Sequence, residues 1–559
     1  MVRTGRVRFL AILIPLAAVA QQVAQPMAAP PAAVIPLAVM QEQTHRSLVM
    51  ASARAYRVYL PPAYGKSRAT RYPVVYWFHG YEADTGREAA LAAYVATHPV
   101  IVVDSGPADT SGQFPLYFPE LVEHIDKTLR TLADRNHRAV TGSGAGGFLA
   151  IWQAAKCPDL VASASSFGAA PEAAIGPEGF DVDCALSDLY PTLDPLRIRQ
   201  VAAASPIAGI LDFHRDAFEH PLPKPVAFSH IDPYPNFGVW DWEVVSDRRR
   251  PAFTVLENVS RGGFRSAVRE WIPAGAALPQ VKLSITSPQL YTPGDIYRVT
   301  YIRLRDGKVR RASQKADARG RLSFDLDGDV YEVGIGGGTG LALSGFELTG
   351  AAWATAGQPV RLRLKFWNKG ASRSATRLLE LSSPTPGVKF KVATVRLNSL
   401  ASGESVTLPV TFTSDRPVVS GARIVAADDE VRLSIDVPVY PAAGAFTDYR
   451  IADGLTVPPY EKPLGEGNRD GHAAPGESFA VLLPDAGALR AAELFTNDAC
   501  VDTTVRVTLR SAPGNSEGGT RISVPTILPT CEPGHRIQFL ARVGLNYYAL
   551  EIPVWYRDR

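Results

Sequence analysis

The sequence predicts a multidomain protein with an α/β part, in which helices flank a parallel sheet, followed by all-β, sandwich-like domains. Two patterns along the chain predict this. In the first part, continuous apolar runs alternate with helical patterns, as expected for parallel strands that helices cover. From about residue 276 onward, short strands of period two alternate with turn signals, which is typical of β-sandwiches.

The α/β part is predicted from the order of its elements. Segment 55–70 is an alternating strand followed by a Pro/Gly turn, and two buried strands follow, RYPVVYWFHGYEAD and HPVIVVDSG. The helical pattern FPLYFPELVEHIDKTLRTLA precedes the strand HRAV, and a glycine-rich turn leads into the helix FLAIWQAA. Such alternation indicates a parallel sheet with helices on both faces.

The second half predicts several β-rich units, because strands such as VRLRLKFWNKG, SVTLPVTFTS and VRLSIDVPVY are short and separated by turns. We expect five segments along the chain. They are a signal peptide at 1–20, the α/β domain at 21–225, a β-rich extension at 226–342, an Ig-like β-sandwich at 343–443 and a C-terminal β-sandwich at 444–559.

The N-terminus has the pattern of a signal peptide. Arg3, Arg6 and Arg8 precede a short apolar run, and residues 18–20 read Ala-Val-Ala, a cleavage-like site. The apolar run is shorter than the roughly 20 residues that span a bilayer, and no later run is long enough. We therefore expect a periplasmic or secreted protein without a membrane span.

Charge and cysteine content narrow the function classes further. Charged residues make up 20% of the 559 residues and the net charge is +3. No basic block is present, so we expect no nucleic-acid partner.

In an oxidising compartment, the four cysteines predict the disulfides Cys157–Cys184 and Cys500–Cys531, with unpaired buried thiols as the alternative.

The glycine-rich turn TGSGAGG, residues 141–147, lies between a predicted strand and a predicted helix. This is the setting of the nucleophile elbow, G-x-S-x-G. In the frame that fits the glycines, Gly144 occupies the serine position. Ser143 is the alternative nucleophile, but it comes one residue early. The competing interpretation is a turn serine that bonds local backbone.

The N-terminal part resembles the esterase-D-like α/β-hydrolases, which include acetyl-xylan and feruloyl esterases. The resemblance rests on YRVYLPPAYGKSRATRYPVVYWFHGYEAD and HRAVTGSGAGGFLAIWQAAKCPDLVASASSFGAAPE, and it covers roughly residues 50–220. It implies an α/β-hydrolase fold with a Ser-His-Asp triad. It also implies an oxyanion hole made by the backbone N–H groups of Tyr81 and Ala145, with Gly144 as a degenerate nucleophile position.

The other triad members are not recognisable in the sequence. The stretch between Gly144 and the helical pattern at 206–220 is too short for the remaining strands and helix of that fold, so we expect a truncated domain. No histidine precedes the last helix. His214 lies inside that helix and is interpreted as a surface or packed residue, and His79 is interpreted as a structural part of the oxyanion strand.

A second motif lies in the C-terminal part. Residues 466–477, EGNRDGHAAPGE, match the calcium-loop pattern with Glu in place of the first Asp. Oxygen ligands would come from Glu466, Asn468, Asp470 and Glu477. A structural calcium loop between strands and a solvated turn both stay open, and no other cofactor is expected.

Three functions are compatible with these patterns. The first is an exported, catalytically impaired esterase-like protein that binds a carbohydrate, an ester or a surface-protein partner. The second is an active carboxylester hydrolase of the acetyl- or feruloyl-esterase type. The third is a structural or adhesive surface protein in which the β domains dominate.

Overall fold

The computed structural model describes residues 38–556, apart from 80–84, 108–113, 170–171, 178–181, 273–274, 337–339, 459, 461–462, 486–487, 503–505, 510–519 and 545. The signal peptide predicted at 1–20 and the predicted oxyanion residue Tyr81 lie outside the described residues. Within these ranges, no helix combines the length and the apolar character that crossing a membrane requires.

The first part of the chain is built on a seven-stranded sheet. Its elements are β1 (Val39–Ser47), β2 (Ser52–Leu60), β3 (Val74–His79), α1 (Thr85–Thr97), β4 (Ile101–Pro107), α2 (Phe114–Thr128), β5 (Arg138–Gly142), α3 (Ala145–Lys156), β6 (Ser163–Phe167), β7 (Glu172–Ile175), β8 (Val182–Ala185), α4 (Tyr190–Leu193), β9 (Arg197–Val201) and α5 (Ile207–Glu219). The strand order is β1-β2-β4-β3-β5-β6-β9, and β7 pairs with β8 separately. Strands β4, β3, β5, β6 and β9 run parallel, whereas β1 and β2 are antiparallel to their neighbours.

Helices cover both faces of this sheet. Helices α2 and α3 pack on one face, with Phe118 and Ile151 in the core. Helices α1 and α5 pack on the other, around Leu91 and Leu211. Because both faces are covered, β3 and β5 are buried along nearly their whole length. This is why they are continuous apolar runs rather than alternating ones.

Two sheets that enclose one core follow. Their strands are β10 (Phe228–Asp232), β11 (Phe237–Val239), β12 (Trp242–Ser246), β13 (Phe253–Ser260), β14 (Gly263–Arg269), β15 (Leu278–Thr286), β16 (Ile296–Arg303), β17 (Val309–Lys315), β18 (Ser323–Gly328) and β19 (Tyr331–Ile335). The order is β10-β13-β14-β19-β16-β17 in one sheet and β11-β12-β15-β18 in the other. Trp242, Phe264 and Phe324 fill the space between them.

A second pair of sheets encloses a separate core around Leu364, Phe366 and Phe412. Its strands are β20 (Leu341–Leu348), β21 (Ala354–Thr355), β22 (Val360–Asn368), β23 (Arg377–Ser382), β24 (Val388–Phe390), β25 (Thr394–Leu397), β26 (Ser405–Ser414), β27 (Val418–Ala427) and β28 (Arg432–Tyr440). The order is β20-β22-β26-β24 and β21-β28-β27-β23-β25. Inward and outward residues alternate along β22 and β28, as the period of two predicts.

The last part consists of small antiparallel sheets. Its strands are β29 (Arg450–Ala452), β30 (Ala480–Asp485), β31 (Ala488–Ala491), β32 (Glu493–Phe495), β33 (Val501–Asp502), β34 (Arg506–Leu509), β35 (Thr520–Ser523), β36 (Thr526–Ile527), β37 (Arg536–Val543) and β38 (Asn546–Pro553). The sheets are β29-β30-β31, β32-β37-β38, β33-β36 and β34-β35. The β-rich second half that the sequence predicts is therefore confirmed.

Two buried ion-pair clusters connect neighbouring sheets. Lys156 at the end of α3 places its Nζ 2.7 Å from Asp232 Oδ2 of β10. Glu332 of β19 is fully buried, and its carboxylate lies 2.7 Å from Arg265 Nε and 3.3 Å from Lys369 Nζ, just beyond β22. Removal of one member of such a pair leaves an uncompensated buried charge, so these clusters oppose separation of the sheets.

One of the two predicted disulfides is confirmed and the other is wrong. Cys500 and Cys531 are bonded. Cys157, next to the end of α3, and Cys184 of β8 form no disulfide with each other and are buried thiols in the core of the first part. A buried cysteine packs as a small apolar residue, and burial raises the pKa of the Cys157 thiol to about 12.

Candidate functional site

The turn between β5 and α3 is a sharp strand-to-helix elbow with Gly144 at its apex. Gly144 has φ 54° and ψ −121°, a combination that residues with a Cβ adopt only under strain. α3 begins at Ala145, and the Phe148 N–H donates to the Gly144 carbonyl. The backbone therefore makes the turn that presents a residue at this edge of the sheet, and the residue presented is a glycine.

The glycines on either side of the apex are required by close backbone approach. A Cβ at Gly142 would lie 2.3 Å from the Gly146 carbonyl oxygen, and a Cβ at Gly146 would lie 2.5 Å from the His79 nitrogen. A Cβ at Gly144 would have nothing within 4 Å. The site therefore has room for a side chain at position 144.

The other elbow residues differ in what they offer. Ala145 is the first residue of α3, and the N–H groups of a first helical turn have no acceptor within the helix. Its assignment as an oxyanion donor stays a prediction. Ser143 is half-buried, and its N–H donates to the Phe78 carbonyl at 3.2 Å, so its backbone extends the β5 ladder.

A histidine–carboxylate pair joins β3 and β4 near the elbow. The register pairs Phe78 of β3 with Gly142 of β5, so His79 and Ser143 are the next backbone positions along these two neighbouring strands. His79 Nε2 lies 3.3 Å from Asp104 Oδ1 of β4, and the same carboxylate has Arg87 Nη2 at 3.7 Å. From the sequence, His79 is expected to be a structural residue of the oxyanion strand. The sequence pattern that could have predicted this pair is the position of His79 and Asp104 toward the C-terminal ends of two buried strands.

The histidine of the last helix is in the interior. His214 of α5 is fully buried, with Nδ1 2.8 Å from Ser163 Oγ and Nε2 2.8 Å from Ser165 Oγ. Ser165 in turn donates to Thr141 Oγ1 at 2.7 Å. Burial lowers the pKa of His214 to about 3, so the ring stays neutral at ordinary pH. His214 is therefore a packed residue. Through Ser165 it is linked to Thr141, which lies two residues before Ser143 on β5.

No further strand of the first sheet follows β9 among the described residues. The chain passes from β9 directly into α5, which lies beside α1, as the hydrogen bond from Tyr94 Oη to Asp212 Oδ1 at 2.9 Å shows. His220, after the end of α5, is exposed and pairs with Asp216. Since α5 runs back along the sheet for 13 residues, roughly 20 Å, His220 lies far from the elbow.

The predicted calcium loop is held by a buried carboxylate that is not part of the predicted motif. Asp453 is fully buried. It accepts hydrogen bonds from the backbone N–H groups of Arg469, Asp470 and Gly471 at 2.7, 3.1 and 3.2 Å. Arg469 and Gly471 have positive φ, so this side chain stabilises a tight turn. The sequence signal would have been the acidic residue in the preceding segment IADG.

The four predicted calcium ligands interact mainly within the loop. Asn468 Nδ2 donates to Asp470 Oδ2 at 2.7 Å, and the Asn468 N–H donates to Glu477 Oε1 at 3.2 Å. Glu466 pairs through its backbone with Ser478. Among the described residues, a group of side chains whose ligand atoms lie within 4.8 Å of one another is found at Asp498, Cys500 and His535. Glu466, Asp470 and Glu477 are not part of it. Calcium binding here stays a prediction.

Comparison with known proteins gives a family for the first part. Residues 47–115 and 117–191 match the esterase family model, described as "Putative esterase". No curated protein matches the chain.

Solved structures similar to the chain include a ferulic acid esterase. That structure has 22% identity and TM-score 0.23, with 24% of this chain and 61% of that chain covered. A fluorophosphonate-binding serine hydrolase F of Staphylococcus aureus has 18% identity and TM-score 0.23, with 24% and 59% covered. An S-formylglutathione hydrolase from Agrobacterium tumefaciens has 17% identity and TM-score 0.26, with 33% and 96% covered.

The chain thus spans about three fifths of the length of the first two of these structures. The family match lies on the elements that build the elbow, from the end of β1 to α4. Residues 47–191 are therefore the part of the chain that matches the esterase family model, and the esterase-like resemblance predicted from the sequence is confirmed for this part of the chain.

Proposed function

We propose that this protein is an exported, catalytically impaired esterase-like protein that acts by binding a carbohydrate, an ester or a surface-protein partner. The observation that carries the proposal is Gly144. The elbow keeps its sharp turn and its close glycine contacts, yet the apex residue has no hydroxyl that could attack an ester.

The sheet topology supports an α/β-hydrolase origin for residues 38–219. Strand order β1-β2-β4-β3-β5-β6-β9 with helices on both faces places the elbow after the central parallel strand, as in that fold. The short path from β9 into α5 supports truncation. Among the described residues, no strand of this sheet lies between β9 and α5 or after α5, so the ends of such strands offer no acid or base there.

The β-rich regions offer a place for a polar ligand. A cavity of about 570 Å³ lies in the second pair of sheets, β20 to β28, and is lined by Asn368, Ser372, Arg373, Ser374 and Glu430, among others. Side-chain hydroxyl, amide, guanidinium and carboxylate groups together suit a ligand rich in hydroxyl groups. We assign the ligand site to this cavity.

Catalytic impairment is tested with the full chain, p-nitrophenyl acetate and a fluorophosphonate probe. We expect no probe labelling and the same slow ester turnover in wild type, Ser143→Ala and the control Ser205→Ala, a serine that follows β9 at the same edge of the sheet. Stoichiometric labelling of wild type that disappears only in Ser143→Ala would overturn the impairment.

Binding is tested on a glycan array with wild type, Arg373→Ala and Arg363→Ala. Arg373 lines the cavity, whereas Arg363 is exposed on β22 and is not among its lining residues, so the two variants lose the same charge. We expect Arg373→Ala alone to weaken binding. Equal binding by all three proteins would place the ligand elsewhere.

A second candidate function is supported by the His79–Asp104 pair. Across three adjacent strands, the register orders Ser143, His79 and Asp104 as a nucleophile, a base and a carboxylate that orients the base. In this alternative the protein is an active carboxylester hydrolase with Ser143 as the nucleophile. It requires that Ser143→Ala and His79→Asn each abolish turnover, whereas the binding proposal requires that neither does.

A further inference from the structure

Four potential metal ligands meet at the disulfide of the last part. One ligand atom each of Asp498, Cys500 and His535 lies within 4.8 Å of the others, and Cys531 Sγ is bonded to Cys500 Sγ. The sequence places them as Asp-x-Cys and, 31 residues after the first cysteine, Cys-x-x-x-His. From the sequence, the two cysteines are expected to form a disulfide, and Asp498 and His535 carry no predicted role.

The cluster is held by contacts that do not depend on the S–S bond. The Leu528 N–H donates to the Cys500 carbonyl and the Cys531 N–H donates to the Leu528 carbonyl, at 2.8 and 2.9 Å. Val501 pairs with Ile527 across β33 and β36. Reduction of the disulfide would therefore leave both cysteines on a hydrogen-bonded frame.

The two other side chains are already oriented toward each other. His535 Nε2 lies 2.8 Å from Asp498 Oδ2, and Asp498 Oδ1 accepts the Cys500 N–H at 2.9 Å. The His535 side chain is 40% exposed and that of Asp498 is 20% exposed, so a metal ion can approach these two ligands from solvent. Cys531 is buried and Cys500 is half-buried, so the two sulfurs form the inner side of the cluster.

The donor set changes with the redox state. A disulfide offers no thiolate, whereas the reduced pair adds two thiolates to one imidazole and one carboxylate. Two sulfurs, one nitrogen and one oxygen suit tetrahedral Zn²⁺, whose bond lengths imply ligand separations of about 3.3–3.8 Å. The separations of at most 4.8 Å among Asp498, Cys500 and His535 are within reach of side-chain rotation.

We propose that the dithiol form of this protein binds one Zn²⁺ through Cys500, Cys531, His535 and Asp498, so that zinc and the disulfide exclude each other. A dithiol reductant transfers two electrons and two protons to the S–S bond and is itself oxidised to a disulfide. Zn²⁺ then displaces the two thiol protons as both sulfurs coordinate it. In the reverse direction a disulfide oxidant accepts the two electrons and two protons from water to become its dithiol, the S–S bond between Cys500 and Cys531 forms again, and the ion is released.

The test uses the full chain, oxidised or reduced with a phosphine, and zinc alone, followed by native mass spectrometry. We expect one additional Zn²⁺ in the reduced chain compared with the oxidised one. Co²⁺ in place of zinc should give thiolate charge-transfer absorption in the reduced form only. Because Cys157 and Cys184 are thiols in both forms, they do not account for a difference between them.

The His535→Ala variant keeps both cysteines, so it can form the disulfide before it is reduced. We expect it to weaken zinc binding by at least about tenfold, the effect that even outer-shell partners of metal ligands have. His472→Ala is the control, since His472 lies in the same part of the chain and stacks on Trp555. Equal zinc binding by the oxidised chain, no zinc in the reduced chain, or unchanged affinity in His535→Ala would each overturn the proposal.

Discussion

Gly144→Ser tests whether the elbow lacks only its hydroxyl. The substitution adds a side chain at φ 54° and ψ −121°, and strain of this kind costs about 1–3 kcal/mol. Sterics add little, since nothing lies within 4 Å of the new Cβ. We expect a folded variant with a free energy of unfolding lower than wild type by that amount, and Gly144→Ala should lose a similar amount.

Two neighbouring glycines serve as steric controls. A serine at Gly142 or Gly146 would place its Cβ 2.3–2.5 Å from backbone atoms of β3 and α3. The strand and helix would have to separate, and we expect a loss of more than about 4 kcal/mol, the range of severe core disruption. Urea unfolding of the four variants should therefore separate position 144 from positions 142 and 146.

The activity of Gly144→Ser is expected to stay at background. A serine hydroxyl needs an adjacent base. Both ring nitrogens of His214 are bonded to buried serines, and His220 lies at the other end of α5. The assay is kcat and KM on p-nitrophenyl acetate, with probe labelling at residue 144. A kcat above about 1 s⁻¹, an ordinary enzyme rate, would refute the reasoning and identify His79 as a working base.

Three further outcomes are expected. Because burial lowers the pKa of His214 to about 3 from an ordinary value of about 6.5, the unfolded chain binds one more proton between these pH values, and stability falls as the pH drops through this window. His214→Gln should make that fall shallower by about 1.4 kcal/mol per pH unit in urea unfolding, and an unchanged slope would contradict the assignment. Glu332→Gln should cost about 3–5 kcal/mol, because it leaves the buried Lys369 ammonium without its carboxylate and Arg265 with Glu257 alone, and a loss typical of surface pairs, about 1 kcal/mol or less, would contradict the burial argument. Thiol alkylation should reach Cys157 and Cys184 only after unfolding, and a bridge between them in non-reducing mass mapping would contradict the structure.

Local patterns were sufficient to predict much of the architecture. Buried runs such as VVYWFH predicted parallel strands, because a strand covered on both faces has no polar side. The alternation in VRLRLKFWN predicted one inward and one outward face, which β22 has. The spacing of glycines around residue 144 predicted a tight turn between β5 and α3, because the positive φ of Gly144 and the approach of Gly142 to Gly146 arise within five residues.

Contacts between residues that are distant in the sequence could be predicted much less well from the sequence. Cys157 and Cys184 are close in sequence, as Cys500 and Cys531 are, yet only the second pair is bonded. Sequence separation does not say whether two Cβ atoms face each other, and disulfide geometry requires that they do. The packing of the core of the first part determines that Cys157 and Cys184 stay buried as thiols.

The candidate site shows the same division. The glycine at the apex of the elbow is visible in seven consecutive residues, so a glycine at the position that a nucleophile elbow presents could be predicted from the chain alone. The pair His79–Asp104 depends on β3 and β4 being neighbours and on their register, and the cluster of Asp498, Cys500 and His535 depends on segments more than 30 residues apart. Backbone conformation is largely a local property, because sterics and turn chemistry act over a few residues. Which side chains meet is set by strand order and sheet packing, and these exist only when the whole chain has folded.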